Sequence, residues 1–201
     1  VSDGWSNDVR VSITVIRPEI FEPVPGDPMI FGFRDVNSDY GRGAHDITEF
    51  IMRLQCLNGM MGESIMRQIH LGRRLSENIE YSEQTYRLDT DATVSAVKDV
   101  VSTLLSTKRL ERATTAIQQA ADEQIDADSL LKTYTKVLSK TEMKTVAEKY
   151  RSADIVELPA GNSRWRFSNA LSWLANQEDD GERAIELQSL AGKSIALGKA
   201  A

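Results

Sequence analysis

The residues able to do covalent or metal chemistry are few. Cys56 is the only cysteine, and His45 and His70 are the only histidines in 201 residues. A nucleophilic thiol needs a base beside it, and His70 is the one candidate on a predicted strand. Two residues without a third to orient the base do not complete a catalytic constellation. His45 and His70 stand 25 residues apart, with none of the spacing that places two imidazoles on one helix face around a metal. Gly192-Lys193-Ser194 has the ending of a phosphate-binding loop. The glycine required five positions earlier is replaced by Leu187, and no strand precedes it. With a single cysteine, neither an intramolecular disulfide nor a cysteine-based zinc site can form.

What remains is chemistry of binding. Between Arg42 and Arg74 lie five arginines (42, 53, 67, 73 and 74) and no lysine, against Asp46, Glu49 and Glu63. Arginine's planar fork suits bidentate phosphate contacts and stacking on bases. Gly41-Arg42-Gly43-Ala44-His45 runs into a predicted helix N-terminus, where free N–H groups attract anions, although Asp46 competes for the same donors. Trp165, Phe167 and Trp173 interleave with Arg164 and Arg166, a pattern that can stack bases and hold phosphates, or else belong to an amphipathic helix core. Lys132, Lys136, Lys140 and Lys144 recur every fourth residue, but Ser139 to Glu142 reads as a capping box that breaks the stripe into two helices. The candidate nucleic-acid contacts are therefore Arg42, His45, Arg53, Arg67, His70, Arg73, Arg74, Arg164 and Arg166. A net charge of −6 excludes a chain that coats nucleic acid over its whole surface, and leaves a local basic groove open.

These side chains must be held by a scaffold. Val9 to Ile16 alternates apolar and polar residues, as a half-buried strand does. Pro18, Pro23, Pro25 and Pro28 then predict a loop, and Met29 to Val36 a second strand antiparallel to the first. Asp46 and Glu49 resemble a capping box. Ile47, Phe50, Ile51, Leu54 and Leu57 follow at helical spacing, and Asn58-Gly59 supplies a stop. In that helix Arg53 would pair with Glu49 and Cys56 would pack as a small hydrophobe. Ser64 to Leu71 predicts a third strand and Ile79 to Leu88 a weaker fourth. From Asp91 the spacing turns helical, through Val94, Val97, Val101, Leu104 and Leu105, with a break near Ser106 and then Leu110, Ala113, Ile117 and Ala120. Further helices are predicted over 129–138, 140–151, 163–177 and 183–197. The expected fold is α+β: an N-terminal antiparallel sheet with a helix packed on it (1–90), then a mostly helical part (91–201), in one domain.

Three residue clusters carry a resemblance. Asn37-Ser38-Asp39-Tyr40-Gly41 precedes Arg53-Leu54-Gln55-Cys56-Leu57-Asn58-Gly59-Met60. Arg67-Gln68-Ile69-His70-Leu71-Gly72 is the second cluster, and Asn162-Ser163-Arg164-Trp165 with Asn169-Ala170-Leu171-Ser172 the third. Together they resemble the phage/plasmid-like family of unknown function found in bacteriophages and mobile elements. The resemblance implies a mobile-element origin and a cytoplasmic role in a bacterial host, and it brings no activity. No charged segment followed by an apolar one opens the chain, and no apolar run is long enough to span a bilayer. The chain starts at Val1, so whether residues precede it in the natural protein stays open. Nothing in the residues points to a cofactor, a metal or a small-molecule substrate. The reading is a non-catalytic nucleic-acid-binding protein, with single-stranded DNA and further copies of the chain as partners, in annealing, recombination or replication. The alternative is a phage structural or host-modifying module that binds protein.

Overall fold

A computed structural model describes residues 2–6, 10–37, 44–69, 79–152 and 158–197. The chain is α+β. Strands β1 (Ser2–Ser6), β2 (Val11–Val24), β3 (Asp27–Asn37), β4 (Ala44–Arg53) and β5 (Gly59–Ile69) form one antiparallel meander in sequence order. Helices α1 (Glu83–Leu104), α2 (Thr107–Asp122), α3 (Ala127–Lys132), α4 (Lys140–Arg151), α5 (Arg164–Ala175) and α6 (Gly181–Ser194) follow. Among the described residues no helix is long and apolar enough to cross a membrane.

The proline-rich stretch is strand, not loop. β1 pairs only with Val11 to Val15, so beyond them the outer edge of β2 needs no N–H donors, and proline is tolerated there. Register shifts fall between Ile16 and Ile20 and between Phe21 and Val24, and Pro18 and Pro23 lie within them. Pro25-Gly26 makes the turn, with Gly26 at φ +77°; proline fixes the first central residue and glycine takes the positive φ of the second.

The predicted helix over 46–57 is also strand. In β4, His45, Ile47, Glu49, Ile51 and Arg53 are buried on one face, and Thr48 and Phe50 on the other. A strand covered on both sides loses its two-residue alternation, and its apolar residues fall by chance at helical spacing. Asp46 caps nothing: it accepts hydrogen bonds from Thr48 (3.0 Å) and from Ser64. Leu57, at φ +55°, makes the left-handed turn that Asn58-Gly59 was expected to make. The predicted fourth strand over 79–88 is instead the start of α1, whose N-cap Ser82 accepts from the Thr85 amide. The break at Ser106 and the Ser139–Glu142 capping box occur as expected.

The two faces of the sheet carry different loads. Met29, Phe31, Ile51 and Met60 join Ala113 and Ile117 of α2 and Trp165, Phe167 and Leu171 of α5 in the main core. Phe33 and Ile47 continue that face under Leu104, Val97, Val100 and Val101 of α1. On the opposite face, α6 crosses β5 so closely that a Cβ on Gly192 would stand 1.9 Å from the Met61 carbonyl oxygen. Alanine normally stabilises a helix interior over glycine by up to about 1 kcal/mol. Here the sign should reverse: Gly192→Ala should lower stability by about 1–3 kcal/mol or more, as forced overpacking does, measured as a fall in the denaturant midpoint.

Candidate functional site

Asp27, at the first position of β3, is buried, and it joins three parts of the chain. Its Oδ1 accepts from Arg53 Nε at 2.6 Å, and its Oδ2 accepts from Trp165 Nε1 at 3.0 Å. Around this joint the segments Arg53–Met60 and Asn162–Ser172 dock on each other. Asn58 Nδ2 donates to the Asn169 carbonyl (3.4 Å), Ser172 Oγ to the Gly59 carbonyl (2.6 Å), and Ser168 Oγ approaches Met60 Sδ at 3.3 Å. Asn176 Nδ2 donates to Asn58 Oδ1 at 3.1 Å. Gly59 has no room for a Cβ, which would lie 2.6 Å from the Phe50 ring. The motif residues thus build a hairpin-to-helix joint.

That joint forms one wall of a groove of about 670 Å³. Thr14, Ile16, Arg34, Phe50 and Met52 of the sheet form its floor. Cys56, Leu57 and Gly59 of the hairpin, Trp173, Asn176 and Gln177 at the end of α5, and Gln188 of α6 form its walls. Arg34 is the one charged side chain among these residues. It is buried, donates from Nε to Thr14 Oγ1 at 2.8 Å and from Nη1 to Gln188 Oε1, and lies 4.8 Å above the centre of the Phe50 ring. Lys149 of α4 places its ammonium 4.2 Å from the centre of the Trp173 ring. The groove offers aromatic surface, carboxamides and a guanidinium, and it contains no paired acid and base.

The predicted nucleic-acid contacts do not converge here. Arg53 is buried on Asp27, and its Nη1 also reaches Cys56 Sγ at 3.3 Å; it makes no pair with Glu49. Arg166, 2% exposed, donates to the carbonyls of Tyr150 (2.8 Å), Ser152 (2.7 Å) and Pro159 (2.5 Å). It stabilises the C-terminal end of α4, where carbonyls lack helical partners and a positive charge opposes the dipole. His45 is buried, with Nε2 2.7 Å from Asp35 Oδ1. Arg164 is partly exposed and forms a bidentate pair with Glu123 at 2.5 and 2.6 Å. These four contacts were read as a phosphate surface; burial or an internal carboxylate occupies each of them instead. Arg67 lies on β5, its backbone opposite Asp46, with β3 and β4 between it and β2. Arg42, His70, Arg73 and Arg74 lie outside the described residues, as does the first half of the Gly41–Asp46 anion site. Because residue 44 onward is strand, no helix N-terminus supplies its amides.

The remaining chemical candidates are structural. Burial pushes the Cys56 thiol up, against the smaller opposing effect of Arg53, so its thiolate is scarce at neutral pH. Trp165 and Phe167 are core residues and Trp173 half-buried. Lys132, Lys136, Lys140 and Lys144 are exposed, and α3 ends at Lys132, so they share no single helix. Among the described residues no group of three or more His, Cys, Asp or Glu side chains could hold a metal. Sequence reasoning missed Asp27, Arg34, Ser172 and Gln188. The one signal available was Asp27, a single charge between Pro25 and Pro28.

On the other face, Glu49 is 1% exposed, and neither carboxylate oxygen receives a hydrogen bond. Arg109 Nη1 approaches to 3.8 Å. Burial raises this carboxyl to about 7, with Arg109 and Arg112 acting in the opposite direction. No protein family, curated protein or solved structure was found to match this chain.

Two predictions follow from these environments. Arg166→Ala leaves three carbonyls without their donor and should lower stability by about 2–4 kcal/mol in a denaturant titration. Glu49 binds its proton more tightly when folded, so its contribution is full below pH 4.5 and lost as pH rises to about 7. That loss amounts to about 3 kcal/mol. Glu49→Gln should abolish this part of the pH dependence and be more stable than the parent at pH 8; equal midpoints at pH 8 would refute it.

Proposed function

We propose that this chain is a non-catalytic binding protein that takes unstacked bases of single-stranded nucleic acid into the groove between the sheet, α5 and α6. One observation carries the reading: Trp173, the Arg34–Phe50 stack and the carboxamides of Gln177 and Gln188 line one groove of about 670 Å³. Recognition of single strands rests on aromatic and guanidinium planes for stacking, and on hydrogen-bonding groups for base edges. The groove has those groups, and its size exceeds that of a nucleotide. A phage or plasmid origin and a cytoplasmic place of action, as the family resemblance implies, fit this role.

The scarcity of cations in the groove sets the expected salt behaviour. Each phosphate neutralised on a single strand contributes about −0.7 to the slope of log K against log salt. With Arg34 and Lys149 as the nearby cations, the slope should be shallow, no steeper than about −1.4. Titration of the protein with an oligodeoxythymidylate, followed by tryptophan fluorescence across a salt series, tests this. Trp173→Ala should weaken binding by about 5- to 150-fold, the range for loss of one stacked base. Gln177→Ala, an exposed change, should weaken it less while leaving stability unchanged. A parent chain that binds no oligonucleotide, or a Trp173→Ala variant that binds as well as the parent, would remove the groove as the site.

A further inference from the structure

Helix α1 is longer than the surface it packs on. Its 22 residues span about 33 Å at 1.5 Å per residue. Val97, Val100, Val101 and Leu104 pack against Phe33, Ile47, Val15 and Ile65, and Leu104 is the one fully buried side chain of the helix. The same helical face continues toward the N-terminus through Tyr86, Thr90 and Val94. Tyr86 is 52% and Val94 45% exposed, and Thr90 is exposed as well. Thr90 turns its hydroxyl onto the Tyr86 carbonyl at 3.0 Å, so its polar group is satisfied within the helix. An amphipathic helix draws most of its stability from tertiary packing of its apolar face. On the first turns of α1, Tyr81 meets the Tyr86 ring edge-on at 6.1 Å, and Tyr86, Thr90 and Val94 still stay exposed.

We propose that this face is covered by the same segment of a second copy, lying antiparallel, with the two-fold axis passing beside Thr90. The sequence is complementary to itself in that arrangement. Tyr86 meets Val94 of the other copy, and this pair is made twice, as a two-fold axis requires. Glu83 and Lys98, exposed at opposite ends of the free face, come level with each other across the axis, joining opposite charges at both ends. A parallel pairing would instead align Glu83 with Glu83 and Lys98 with Lys98. The overlap ends at Val97, where each helix meets its own sheet, so neither copy has to leave its own core. Four turns of helix bury less than the ~800 Å² per partner of a standard interface, so the dimer should be concentration-dependent.

Single cysteines test the geometry. Thr90→Cys places the two thiols next to the axis, Tyr86→Cys moves them about 12 Å apart along the helix direction, and Leu88→Cys lies on the opposite face. Under mild oxidation, with the parent chain and its Cys56 as background, Thr90→Cys should give at least ten times more disulfide-linked dimer than either other variant. Sedimentation velocity of the parent should show a dimer that dissociates on dilution, and Val94→Glu should remain monomeric. A parent that stays monomeric at high concentration overturns the proposal, leaving a different protein as the occupant. Equal crosslinking at positions 86 and 90 overturns the antiparallel axis.

Discussion

The contact between Asp27 and its two donors determines how the sheet and the helices meet. A carboxylate at the β2–β3 turn, a guanidinium at the end of β4 and an indole in the first turn of α5 are all withdrawn from water. Burying an isolated charge is prohibitive, and losing one member of a buried pair costs about 3–5 kcal/mol. The arrangement is therefore tolerated only where Arg53 and Trp165 arrive together, which fixes the hairpin 53–59 against α5 with little freedom of register. Once that is set, Ser172 reaches the Gly59 carbonyl and Asn169 lies opposite Asn58. The groove exists because α5 ends beside this hairpin while α6 crosses the sheet further along.

Arginine does different work at each place it occurs. Arg53 and Arg166 are internal struts, satisfying a carboxylate and three carbonyls respectively. Arg164 fastens α5 to the residue that ends α2, through Glu123 and a backbone bridge between Gln124 and Ser163. Arg34 lines the groove at the sheet, buried on Thr14 and Gln188. A guanidinium is more weakly hydrated than an ammonium and offers five donors in a rigid fork, which is why it can be buried where lysine could not. Glu49 shows the opposite case. It lies under α2 with Arg109 too far for a good hydrogen bond, so burial dominates and the carboxyl holds its proton toward neutrality.

The class of fold was legible in the sequence, and so were the features with short-range causes. Ser106 and Ser139 start helices because a hydroxyl satisfies a free amide three residues on, a contact independent of the rest of the chain. The alternation over Val11 to Ile16 marked a strand, but not which face is covered: Ser12 and Thr14 are buried, and Val11 and Ile13 are exposed. Helices α2 and α4 were legible because one face of each meets solvent, so the 3.6-residue period survives.

Tertiary structure decided what burial erases. β4 is covered on both faces, so its residues carry no two-residue signal, and chance spacing at Ile47, Phe50, Ile51 and Leu54 imitated a helix. Pro18 and Pro23 could be read as strand only with the knowledge that β1 stops short and leaves that edge unpaired. The same holds for the candidate site. An arginine's type and spacing do not say whether it meets solvent or a buried carbonyl, because its partners lie far along the chain: 26 residues for Arg53 and Asp27, 154 for Arg34 and Gln188. The sequence determined the inventory of charges and aromatic rings, whereas long-range packing alone decided which of them the fold consumes and which it presents.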